Sequence, residues 1–105
     1  MTSAIKMIEQ ERKRQKRVHR WSKRHDDSHD RGELAMAAAA YAMPRSERGG
    51  AGTDHPPPIW PWQEDYWRPK RNDRIRELVK AGALLVAEIE RLKRAETKKA
   101  KAKSK

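Results

Sequence analysis

The clearest periodicity in the chain lies toward its C-terminal end. Ile75, Leu78, Gly82, Leu85, Ile89 and Leu92 step by three and four residues in turn, and Val79 and Val86 widen the stripe. That spacing predicts an amphipathic helix over about Asn72 to Ala95, with Asn72 or Asp73 as its cap. Gly82 inside it costs about 1 kcal/mol against alanine, so a close neighbour, the alanine-rich segment, is expected there rather than a hinge. A second helix is predicted over Gly32 to Met43, which reads Gly-Glu-Leu-Ala-Met-Ala-Ala-Ala-Ala-Tyr-Ala-Met. It is apolar all round and should be central. Asp30 and Glu33 form an Asp-x-x-Glu capping box before it, and Pro44 ends it. A third helix is predicted over Ser3 to Val18. Thr2 or Ser3 caps it, and Ala4, Met7 and Ile8 supply one short apolar patch before the sequence turns basic.

Between the second and last of these helices runs a long connection without regular period, Pro44 to Arg71. It holds Gly49-Gly50-Ala51-Gly52, then Pro56-Pro57-Pro58-Ile59-Trp60-Pro61-Trp62, then Tyr66 and Trp67. The aromatic part should fold back on the helices as a rigid cover, leaving about 45–54 loose. The fold class is therefore a small all-α domain of three helices spanning residues 1–95, with a Pro/Trp-rich connection packed on it. The Lys/Ala tail over 96–105 is expected to be disordered, because its like charges repel and nothing apolar docks it.

Charge changes the picture. The chain has 105 residues, 26 Lys or Arg against 15 Asp or Glu, and a net charge of +11. The excess sits at the two ends: nine basic residues in 1–24 and seven in 93–105, around a middle, 25–67, with eight acids and three arginines. Basic helices can thus pack over acidic segments, or the ends can meet a polyanion. The absence of cysteine rules out disulfides and Cys-ligated metal sites. No apolar run approaches the ~20 residues that span a bilayer, and the first residues lack a signal-peptide pattern. A cytoplasmic protein without a membrane partner is the expectation.

An ordered set of short elements is also familiar: Glu11-Arg12-Lys13-Arg14-Gln15, Trp21, His25-Asp26-Asp27-Ser28-His29-Asp30, Gly32-Glu33-Leu34-Ala35 and Ala38-Ala39-Ala40-Tyr41-Ala42. After the loop come Trp60-Pro61-Trp62, Trp67, and Leu78-Val79-Lys80-Ala81-Gly82-Ala83-Leu84. Over about residues 8–94 the chain resembles a group of small phage and prophage proteins. The resemblance implies a phage-borne or prophage-borne accessory protein in a bacterial host cell and carries no activity with it. Arg20 stands where that pattern has a glycine before the tryptophan.

Three chemistries are candidates. Arg12, Arg14, Arg17, Arg20, Lys23 and Arg24, with Lys98, Lys99, Lys101 and Lys103, could contact the phosphates of a nucleic acid or nucleotide, with Trp21, Trp60 and Trp62 as stacking rings. The competing reading makes the tryptophans the core mass of an aromatic-poor domain. His25, Asp26, Asp27, His29, Asp30 and Glu33 form the densest polar cluster and could hold a divalent metal, the one cofactor in view. Helix capping, or ion pairing with Arg12, Arg14, Arg74 or Arg76, would use the same acids. A MazG-like metal-dependent nucleotide pyrophosphohydrolase needs paired acids on adjacent helices. Here Glu33 is followed by Met36 and Ala37, and Glu88 and Glu90 have the wrong spacing. Ser22, Ser28 and Ser46 lack the context of a nucleophile. The leading expectation is a non-enzymatic module that binds a phosphate-bearing partner through its basic segments. A protein–protein adaptor or homo-oligomer built on the Leu/Ile stripe is the alternative.

Overall fold

A computed structural model describes residues 2–18, 22–48, 55–70 and 72–103. Among these, the chain is all-α: α1 (Ala4–Val18), the short α2 (Lys23–Asp27), α3 (Glu33–Ala42) and α4 (Arg74–Lys103), with 3-10 turns at Arg45–Glu47 and Glu64–Tyr66. All three other helices pack against α4, which is the spine of the fold.

The three predicted helices are present, and their ends follow local chemistry. Ser3 Oγ accepts the Lys6 amide at 3.1 Å at the start of α1. Asp73 Oδ1 accepts the Arg76 amide at 3.0 Å at the start of α4. The predicted Asp30 cap is corrected: Gly32, at φ +83°, is the N-cap of α3 and offers no side chain. Glu33 instead turns back to accept the Arg31 amide at 2.6 Å. The helix α2 was not anticipated; Ser22 caps it, accepting the His25 amide at 3.2 Å.

The core is slim. Leu34, Ala37, Ala38, Ala40 and Tyr41 of α3 meet Ala81, Leu84 and Ala87 of α4, and the Trp60 and Trp67 rings close over them. Tyr41 stacks on Trp67 at 4.7 Å between centroids and meets Trp60 edge-on at 5.5 Å. Alanine on both helices brings the backbones close, and the tryptophans supply the bulk that alanine lacks. The cover expected over 59–67 is therefore present. The loop expected to be loose from residue 45 is ordered over Arg45–Arg48, and Arg48 is buried. Residues 49–54 lie outside the described ones.

Two expectations about α4 change. The helix continues to Lys103 where disorder was expected from residue 96, and residues 96–103 are exposed on every side. Extending a formed helix avoids the cost of nucleation, Lys and Ala favour it, and cations suit its C-terminus. The buried face of α4 is also not the Leu/Ile stripe. Glu77, Val79, Lys80, Ala81, Ala83, Leu84, Ala87 and Glu88 are buried, while Ile75, Leu78, Leu85, Ile89 and Leu92 are exposed.

Buried carboxylates hold the elements together. Glu77, fully buried, accepts from Arg48 Nη2 at 3.2 Å, Arg74 Nη1 at 3.2 Å and the Lys70 amide at 2.9 Å. Arg48 and Arg74 each also donate to the Tyr41 carbonyl at 2.9 Å, and Arg74 reaches that of Ala42. The two guanidiniums thereby cap the negative end of α3. Glu11 of α1 binds Arg14 at 2.8 Å, Gln15 at 3.1 Å and Arg76 of α4. Asp26 of α2 binds Arg12 at 2.6 Å, and Arg12 also donates to Glu90 at 3.1 Å. Arg94 donates to Asp27 at 2.7 Å.

Gly82 is a packing glycine, as expected, but its neighbour is Ile8 of α1 and not α3. A Cβ there would stand 2.6 Å from Ile8 Cδ1 and 2.9 Å from Cγ1. Gly82→Ala should therefore lower stability by about 1 kcal/mol or more. In an Ile8→Ala background the same change should raise stability by about 0.5–1 kcal/mol, through helix propensity alone. Urea denaturation of the four proteins in this cycle checks both signs. Glu77→Gln should cost about 3–5 kcal/mol in the same assay, because it strips a buried guanidinium of its counter-charge.

Candidate functional site: an aromatic, cationic cavity

A cavity of about 800 Å³ opens between α1, α2, α3, α4 and the Trp-rich connection. Its lining is drawn from distant parts of the sequence. Arg14 and Gln15 come from α1, His25 from α2, His29 from the turn after it, and Tyr41 from α3. Trp60, Trp62 and Arg68 come from the connection, and Lys80 from α4. Among the described residues no Asp or Glu lines it. The acids of this region stand behind the wall: Glu11 holds Arg14, Asp26 lies 3.4 Å from His25, and Glu33 lies 3.3 Å from His29.

The aromatic wall is a continuous ladder. His25 meets His29 edge-on at 4.8 Å, His29 lies 5.2 Å from Trp62, and Trp62 meets Trp60 edge-on at 5.3 Å. Trp60 belongs to the core and donates its indole N–H to the Gln63 carbonyl at 3.1 Å. Trp62 is half-buried, and its indole N–H has no partner among the described residues.

Lys80 forms the cationic floor. Its ammonium donates to the Arg68 carbonyl at 2.9 Å and lies 5.1 Å from the Tyr41 ring centroid. The Tyr41 hydroxyl accepts the Arg68 amide at 3.0 Å, so both polar groups of one peptide segment are pinned to the helices. Burial first, then repulsion from Lys70, Arg14 and Arg76, pushes Lys80 down to about 8, with Glu11 opposing. Burial likewise pushes the Tyr41 hydroxyl up. Gln15 is almost wholly buried. Its amide N–H donates to Glu11, and its carbonyl oxygen, Oε1, has no partner among the described residues. A buried acceptor and an indole donor thus stand unused in a cationic, ring-lined cavity.

The predicted site residues separate into groups. Arg12 is buried between Asp26 and Glu90 and is not free for a phosphate. Arg14 is tied to Glu11 yet lines the cavity. Arg17, Lys23 and Arg24 are exposed, as are Lys98, Lys99, Lys101 and Lys103 at the far end of α4. Arg20 and Trp21 lie outside the described residues. Trp60 and Trp62 both line the cavity.

The metal reading is corrected. His25, Asp26, Asp27, His29, Asp30 and Glu33 do not converge, and no group of three His, Asp or Glu is arranged to hold an ion among the described residues. Asp26 is committed to Arg12, Asp27 to Arg94, and Glu33 to His29 and the Arg31 amide. Arg94 is the first cause that lowers Asp27, a partner on the far helix. The ion-pairing alternative is the one the geometry contains.

Sequence reasoning missed Gln15, Tyr41, Arg68 and Lys80. Lys80 alone carried a signal: a lysine between Val79 and Ala81, four residues before Leu84, on the face that α3 and the tryptophans cover. Its titration sets a sign. The folded value of about 8 lies below the ~10.4 of an unfolded lysine, so between these the unfolded chain binds more protons and stability rises with pH. Denaturant melts from pH 7.5 to 9.5 should show that rise, and Lys80→Met should flatten it.

Compared with protein-family models, with curated proteins and with solved structures, the chain matches none.

Proposed function

We propose that this chain is a binding module for a nucleotide, held in the aromatic, cationic cavity. The observation that carries the reading is the lining itself. Rings of Trp60 and Trp62 stand beside Arg14, Arg68 and Lys80, with no carboxylate facing in among the described residues. A planar base stacks on indole faces, and phosphate oxygens accept from guanidinium and ammonium donors. Gln15 Oε1 is an acceptor for a base amino group or ribose hydroxyl, and Trp62 Nε1 a donor for a carbonyl or phosphate oxygen. The volume of about 800 Å³ is ample for a nucleotide.

The site proposed here differs from the one the sequence favoured. Basic residues of α1 are largely spent inside the molecule, on Asp26, Glu90 and Glu11. The lysines of 98–103 remain exposed and can meet a polyanion without sequence preference, but they stand apart from any ring. The nucleotide reading places recognition where charge and rings coincide.

Intrinsic tryptophan fluorescence and calorimetry with nucleoside mono-, di- and triphosphates test the proposal. Saturable quenching by a nucleotide is expected, with the matching nucleoside and inorganic phosphate each at least 10-fold weaker. Arg68→Ala, Lys80→Met and Gln15→Leu should each weaken binding by about 10-fold, roughly 1.4 kcal/mol apiece. A chain ending at Thr97 should bind as tightly as the full one. Affinity should fall as pH rises through about 8, where Lys80 loses its charge. No binding at millimolar nucleotide, or binding lost with residues 98–105 and untouched by the cavity variants, overturns the reading.

A further inference from the structure

We propose that two copies of this chain pair through the exposed apolar stripe of α4, antiparallel, about a two-fold axis between Gly82 and Leu85. The stripe is the strongest periodic signal in the sequence, and the monomer does not use it. Ile75, Leu78, Leu85, Ile89 and Leu92 are between 45% and 65% exposed along one line of the helix. Ile8 of α1 packs on Gly82 at the middle of that line, and Ile5, one turn earlier on the same face, is 78% exposed. Single apolar patches on monomeric proteins seldom exceed ~300–600 Å². Six large aliphatic side chains in one band are what an interface supplies.

The occupant is identified by the spacing and by the charge. A three-four repeat is the pattern by which one helix packs along another that carries the same repeat, and a two-fold interface needs a patch complementary to itself. Antiparallel pairing about the 82–85 midpoint sets Ile75 against Leu92 of the second copy, Leu78 against Ile89, and Gly82 against Leu85. The last layer matches the largest gap in the stripe with a full leucine, and Ile8 walls it on one side. Parallel pairing would instead stack Gly82 on Gly82 and leave a hole. It would also bring two basic ends together, each with Lys98, Lys99, Lys101 and Lys103 exposed. Antiparallel pairing sends these ends to opposite poles and removes that repulsion. The cavity opens on the other side of α4, where Lys80 and Leu84 face it, so pairing leaves it accessible.

Sedimentation velocity and native mass spectrometry of the full chain from 1 to 100 µM test the proposal. A mass twice that of the chain is expected at the upper end. Leu85→Glu and Ile89→Glu should each leave a monomer at all these concentrations, with far-UV circular dichroism unchanged, because both positions are exposed in the folded chain. The absence of cysteine makes the orientation directly readable. Leu78→Cys and Ile89→Cys proteins, mixed and oxidised, should give the mixed disulfide dimer, and neither alone should cross-link efficiently. A monomer at 100 µM, a dimer indifferent to Leu85→Glu, or efficient cross-linking of each single variant with itself overturns the proposal.

Discussion

Everything in this fold hangs on carboxylates taken out of water and surrounded by arginines. Glu77, Glu11 and Asp26 are each almost completely buried, and each joins elements far apart in sequence. A buried carboxylate is costly unless it is paired and its lone pairs are filled. Glu77 meets that condition with two guanidiniums and a backbone amide, and the same guanidiniums cap α3. Burial raises the pKa of Glu77, and hydrogen bonds from Arg48 and the Lys70 amide outweigh it, so the group stays charged below the ordinary glutamate range. Glu11 follows the same balance with Arg14 and Arg76. A chain poor in large apolar residues thus obtains from ion pairs a specificity that its alanine core does not supply.

This internal use of charge reshapes the functional surface. A net charge of +11 suggests a uniformly basic exterior, yet many arginines of the helical body are engaged with carboxylates. What remains positive falls into two regions: lysines toward the chain end, and the cavity wall, where the acids stand behind the cations. In the cavity Arg14 is held in position by Glu11 and Lys80 by the Arg68 carbonyl. Positioned donors in a partly dry site attract an anion more strongly than freely solvated side chains do. The low pKa of Lys80 is the cost of keeping an ammonium there without a counter-ion.

Helices were legible because helix formation is local. The alanine run, the three-four stripe and Pro44 marked α3 and α4 without any tertiary information. The direction each helix faces was not legible. The Leu/Ile stripe of α4 is more apolar than the Ala/Glu/Lys face beside it, yet the latter is buried, since alanine permits close approach to α3 and Glu77 gathers arginines that only the folded chain assembles. α1 tells the same story: it docks through Glu11, Arg12 and Gln15 rather than its short apolar patch. The Asp/His cluster read as a metal site for want of the knowledge that Arg12 and Arg94 reach it. Trp60 and Trp62 were singled out by composition. Gln15 and Arg68, ordinary residues in sequence, acquire a role only through their neighbours.

The most direct measurement is a carboxyl-detected NMR titration of Glu11 and Glu77 in the intact chain. Paired and buried as described, both should remain ionised below the ~4.3 of a free glutamate and take up protons only as the fold is lost in acid. Titration of either near 4.3 with the tertiary structure intact would mean that the arginines do not hold it, and the structure's organising interaction would be refuted.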